Sequence, residues 1–77
     1  VKIIQMNNLN VAKIQLNGSS YKVNTGTNLN ELLNKLKLKK NKVAIEVNGE
    51  IIEKNKYQKL KLNKNDKVEI VHFIGGG

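Results

Sequence analysis

A two-layer α+β domain, with a mixed sheet of four to five strands packed on one main helix, is what this sequence predicts, on three observations. First, Asn17-Gly18 separates two alternating apolar segments and Asn48-Gly49 ends a third; Asn-Gly is the strongest short hairpin signal, because both residues tolerate positive φ. Second, Leu29, Leu32, Leu33 and Leu36 fall at i, i+3, i+4 and i+7, one apolar stripe of a helix. Third, the chain closes on another alternating run, from Lys67 to about Phe73. A hairpin, a helix and then returning strands stack most simply as helix on sheet.

Each element has its own local reason. Residues 1–12 carry no useful period and read as a loosely ordered N-terminal extension. The domain proper spans residues 13–74. KIQL alternates, with Ile14 and Leu16 on one face, and SYKV answers it beyond the turn with Tyr21 and Val23 together. Asn28 is placed to cap the helix, with Glu31 reaching back from the third helical position. Lys35, Lys37, Lys39 and Lys40 follow at the helix C-terminal end, where the dipole favours cations. VAIEV is the third strand, with Val43, Ile45 and Val47 facing one way and Ala44 and Glu46 the other. Asn48-Gly49 turns it into a short segment, Glu50–Ile52. EKNKYQ suggests a helical turn around Tyr57, and Leu60 and Leu62 alternate with Lys in a brief strand. NKND, residues 63–66, is a polar turn. In the last strand Val68 and Ile70 point inward, and Glu69, Val71 and Phe73 outward. The first and last strands are the candidates for the sheet centre. This is the arrangement of the β-grasp, or ubiquitin-like, fold.

Composition removes several classes of function. Without cysteine there is no disulfide framework, thiolate metal site or catalytic thiol. No apolar run approaches the ~18 residues of a membrane span, and VKIIQM lacks the apolar stretch of a signal peptide. A soluble cytoplasmic protein, monomeric when free, is the expectation. The formal charge of +8 comes from 14 basic and 6 acidic residues, and every basic one is Lys. Arg, the residue best suited to forked contacts with phosphate and guanine, is missing. Tyr21, Tyr57 and Phe73 are too few for a base-stacking platform. Specific nucleic-acid binding is therefore not expected, and most of the charge reads as solvated surface.

Chemistry concentrates at the end, in VEIVHFIGGG. Glycine loses more conformational entropy on ordering than any other residue, so Gly75–Gly77 read either as an idle tail or as a substrate. Three glycines directly after a strand suit a narrow channel, since they carry no β-carbons. A terminal carboxylate is a poor electrophile until ATP converts it to an acyl-adenylate. With no cysteine to carry a persulfide, sulfur would have only that activated carboxyl as its site, as a thiocarboxylate. Val71 and Phe73 share the outer face with Ala44 if strands three and five are neighbours, and an exposed apolar patch of this kind suits docking. His72 stands alone with no dyad partner nearby and reads as structural.

Residues 13–77 resemble the ThiS family, the sulfur carriers of thiamine biosynthesis. The resemblance rests on IQLNG, NELL, VNGEII and above all DKVEIVHFIGGG; residues 1–12 depart from the family pattern. It implies that the carboxylate of Gly77 is adenylated by an E1-like enzyme, ThiF, using ATP and magnesium. Sulfur from a cysteine desulfurase or rhodanese-type donor would then replace AMP, and the thiocarboxylate would serve thiazole synthase, ThiG. The protein would be a cosubstrate with no catalytic residue, metal or bound cofactor of its own. Gly75 and Gly76 would thread into the partner's active site, while Ala44, Val71, Phe73 and Ile74 would dock. The molybdopterin-synthase small subunit and other β-grasp sulfur carriers share fold and terminal chemistry and stand as alternatives, as does a ubiquitin-like modifier. A lysine-rich RNA-binding β-grasp module is the alternative of a different class.

Overall fold

The computed structural model of the protein describes residues 10–73. These form strands β1 (Val11–Leu16), β2 (Ser19–Asn24), β3 (Val43–Val47), β4 (Glu50–Ile51) and β5 (Lys67–His72), with helix α1 (Leu29–Leu36) between β2 and β3. The sheet runs in the order β2-β1-β5-β3-β4. β5 is therefore its middle strand, parallel to β1 and antiparallel to β3. The mixed sheet on one helix has the β-grasp order expected from the sequence.

Helix α1 forms where its caps and stripe agree. The Asn28 side chain accepts from the Glu31 N–H at 2.8 Å, and the Glu31 carboxylate accepts from the Asn28 N–H at 2.9 Å. This reciprocal box satisfies two of the amides that a helix start leaves unpaired. Leu29, Leu32 and Leu33 are buried. Lys37 closes the helix in the left-handed region, φ 60° and ψ 38°. The N–H of Lys37 reaches the Asn34 carbonyl, and that of Leu38 reaches the Leu33 carbonyl, the two bonds of a Schellman close. Lysine takes here a position that usually belongs to glycine.

On the sheet, alternation sets the buried face. Ala12 and Ile14 of β1, Val23 of β2, Val43, Ile45 and Val47 of β3 and Val68 of β5 turn toward the leucines of α1 and are buried. β1 begins at Val11, so Val11 and Ala12, which the sequence places in the extension, belong to the sheet. Ala12 packs in the core because its register opposite Val23 continues the buried row one residue pair beyond Ile14. Residues 1–9 lie outside the described residues.

The brief strand expected at Leu60–Leu62 is a correction. Only an isolated bridge between Lys61 and Asn28 forms there. The Leu62 N–H is taken by the Thr27 carbonyl at 2.8 Å, so this segment seals the helix entry instead of joining the sheet. Leu62 is buried. Just before it, a 3-10 turn at Lys54–Lys56 leads into Tyr57, whose carbonyl accepts the Leu29 and Asn30 amides at 3.1 and 3.4 Å.

Both Asn-Gly turns take the left-handed pair that a two-residue type I′ turn requires, with φ 48° and 85° at Asn17 and Gly18, and 52° and 89° at Asn48 and Gly49. Both asparagines also hold β5. Asn48 accepts the Lys67 N–H at 2.9 Å and donates to the Asp66 carboxylate at 3.0 Å. Asn17 accepts the Ile70 N–H at 2.7 Å and donates to the Ile70 carbonyl at 3.2 Å. Its carboxamide, chemically a peptide group, thus continues the parallel ladder after the β1 backbone has turned away. Asn17→Gly keeps the left-handed freedom and deletes both bonds. At roughly 0.5–1.5 kcal/mol net per bond, it is expected to lower unfolding free energy by about 1–2 kcal/mol in urea titration. A loss below about 0.3 kcal/mol would show the fork to be idle.

Candidate functional site

The site is the end of β5 and the sheet face beside it. β5 holds its course because both flanks are occupied: β1 and the Asn17 fork on one side, β3 on the other. The β3 pairing puts Ala44 directly opposite Val71 and Glu46 opposite Glu69. The ladder extends one bond past the strand, since the Phe73 N–H donates to the Lys42 carbonyl at 2.9 Å. The chain is therefore held up to Phe73, and whatever follows starts from a fixed point.

The docking residues named from the sequence meet in part. Val71 is 60% exposed and Phe73 52% exposed. Ala44, half-buried, and Val71 line one groove of about 130 Å³ together with Ile45, Glu46, Ile51 and Glu69. Phe73 does not line that groove; the Lys54 ammonium stands 5.8 Å from its ring centroid and donates to the Val43 carbonyl at 2.7 Å. Ile74, Gly75, Gly76 and Gly77 lie outside the described residues. His72 lines a different groove, of about 370 Å³, with Leu16, Asn17, Leu36, Leu38 and Ile70, on the helix side of the sheet.

Sequence reasoning missed Ile51, at 74% exposure the barest large apolar side chain among the described residues. Its signal was the two-residue turn. A type I′ turn at Asn48-Gly49 fixes Val47 opposite Glu50 and Glu46 opposite Ile51, so Ile51 must share the outward face of Glu46. The outer face thus carries two exposed aliphatic side chains, Ile51 and Val71, around Ala44. Exposed apolar surface of this kind marks association more often than chance. Among the described residues no three His, Cys, Asp or Glu side chains cluster so as to hold a metal ion, and no helix is long and apolar enough to cross a membrane.

Known proteins share this architecture. The ThiS family model matches residues 14–77. The sulfur carrier protein ThiS of Bacillus subtilis is 44% identical over 66 residues, covering 83% of this chain and 98% of that protein. A thiazole synthase of Magnetococcus marinus is 42% identical over 65 residues, 84% of this chain, but the chain spans only 20% of that relative's length. The crystal structure of the thiamine biosynthesis protein ThiS from Geobacter metallireducens superposes with a TM-score of 0.73 at 32% identity, covering 84% of this chain and 99% of the other. With the family model spanning residues 14–77 and the Bacillus carrier matched over nearly its whole length at 44% identity, this chain belongs to the ThiS family.

Proposed function

We propose that the protein is the sulfur carrier of thiamine biosynthesis, working in the cytoplasm with Gly77 as its reactive end. The observation that carries this reading is the family match running through the last glycine, behind a strand braced to Phe73. An E1-like adenylyltransferase of the ThiF type, supplying ATP and magnesium, would receive the tail. A carboxylate oxygen of Gly77 attacks the α-phosphorus of ATP and pyrophosphate leaves. The outer sulfur of a persulfide on a cysteine desulfurase or rhodanese-type donor then displaces AMP at the carbonyl carbon. A second thiol, from the partner enzymes or an added dithiol, cleaves the S–S bond of the resulting acyl disulfide, releasing the thiocarboxylate as the thiols are oxidised to a disulfide. The chain contributes no acid, base or metal to these steps; it supplies the carbonyl and the handle by which the enzymes hold it. Gly75 and Gly76 let the tail enter a channel without side-chain bulk. Ala44, Val71, Phe73 and Ile74 dock the body.

The acceptor we assign is thiazole synthase. Family membership favours thiazole over the pterin of molybdopterin synthesis. The likeness to a fifth of the Magnetococcus thiazole synthase supports proximity between a domain of this kind and that enzyme. The test is intact-mass spectrometry of the protein after incubation with the activating enzyme, ATP, magnesium and a sulfur donor. Replacement of oxygen by sulfur adds about 16 Da, the expected result for a nucleophilic displacement at an activated carboxyl. A mature protein that continues beyond Gly77, or that gains no mass, overturns the reading.

A further inference from the structure

The outer face of the sheet holds an arrangement that stability alone disfavours. Glu46 and Glu69 stand directly opposite on β3 and β5. Like charges so placed destabilise a sheet, their β-carbons being only about 4.5–5.5 Å apart. The chain has 14 lysines and only 6 acids, yet two of the six face each other. Among the described residues neither carboxylate has an ion-pair or hydrogen-bond partner. Both line the groove that Ile51 and Val71 border. Two unpaired carboxylates flanked by exposed aliphatic surface match one chemical shape: a long cationic side chain, with its head between the carboxylates and its stem against the aliphatic groups.

We infer that this groove receives a lysine or arginine side chain of the enzyme that activates the carboxyl end, and that the Glu46–Glu69 pair orients the carrier on it. The inference rests on the carrier reading above. Geometry selects the occupant. Val71 lies six residues before Gly77, so even fully extended backbone between them spans at most roughly 20 Å. An enzyme holding the last carboxylate at its nucleotide therefore has its active site within that reach of Val71, close enough for a docking face to meet the groove. Charge selects the contact. A body of net charge +8 repels basic surfaces in most orientations, and an isolated acidic pair is where a cation is admitted, which fixes register more than raw affinity.

The test is ATP–pyrophosphate exchange by the ThiF-type enzyme of the same organism, using the full chain and its E46Q/E69Q variant across a salt series. The variant is expected to melt no lower than wild type, since a repulsion is removed. Its KM for the carrier should rise about tenfold or more, with kcat within twofold, because docking is lost and chemistry is not. Wild-type KM should climb with ionic strength and the variant's should not. Exchange with wild type but a variant KM within twofold of it, at every salt concentration, overturns the inference and leaves the carrier reading standing. Unaltered activation with slowed sulfur delivery to thiazole synthase overturns it too, by giving the groove to the acceptor. No exchange even with wild type overturns both.

Discussion

A chain lacking Gly77 is expected to gain no sulfur at all. The truncated protein still ends in glycine and still offers a carboxylate, so composition at the end is unchanged; only its position differs. One residue of extended chain is about 3.3–3.6 Å. Displacing a reacting group by even 1 Å can cost about a hundredfold in rate, and on the proposed reading a shift of a full residue would withdraw the carboxylate from the α-phosphorus altogether. The deletion removes none of the described contacts, because β5 ends at His72 and the last described ladder bond is at Phe73. Melting curves of the two proteins should coincide. Gly76→Ala is the graded version: harmless to an idle tail, but expected to reduce kcat/KM for thiocarboxylate formation about a hundredfold or more if the tail is threaded. Mass gain in the truncated chain, or a Gly76→Ala variant within about twofold of wild type, would remove Gly77 from the chemistry.

What the sequence disclosed of this site, and what it hid, follows from how far apart the interacting groups lie. The hairpin turns, the Asn28–Glu31 box and the leucine stripe are local, each complete within a few residues, and all stand in the structure as the pattern indicates. The pairing of Ala44 with Val71 was conditional on strand order, and β3 does lie beside β5. The Asn17 fork joins residues 53 apart in sequence, across a parallel pair that no turn announces. The same gap hid Glu46–Glu69: each acid alone is an ordinary exposed carboxylate, and only the register makes them a pair. Leu60 and Leu62 alternate like a strand, yet the neighbouring backbone is the helix entry, and that neighbour decided their fate.

Tyr57 was hidden for the opposite reason, because its surroundings in the sequence are polar. It lies in EKNKYQKL, but its side chain is fully buried, among the largest in the core, and the Lys40 and Lys54 ammonium groups lie 5.9 and 5.7 Å from its ring centroid. Tyr57→Ala is expected to destabilise the domain by about 3–5 kcal/mol, the usual loss for a buried aromatic. A 77-residue domain has only about 4–12 kcal/mol in total, so this variant should lose from about a quarter to all of the domain's stability, read by urea titration. The ring, not the hydroxyl, carries the effect. Among the described residues the buried phenol oxygen makes no hydrogen bond of ordinary geometry; burial raises its pKa above the ordinary 10.0, and the Ile45 backbone, too poorly placed to form a full bond, opposes this only weakly. Tyr57→Phe should therefore match wild type at pH 7 or exceed it by up to about 1 kcal/mol. The pH dependence has a definite sign. A phenol whose pKa is higher in the folded state adds stability that is complete below pH 10, and that is lost as pH rises, because the unfolded chain ionises first. Urea titrations from pH 8 to 11 should show wild type losing stability faster than Tyr57→Phe once past pH 10, by at most about 1.4 kcal/mol per pH unit. Parallel curves, or a Tyr57→Phe variant weaker by more than about 1 kcal/mol at pH 7, would mean that the hydroxyl is bonded in the native core.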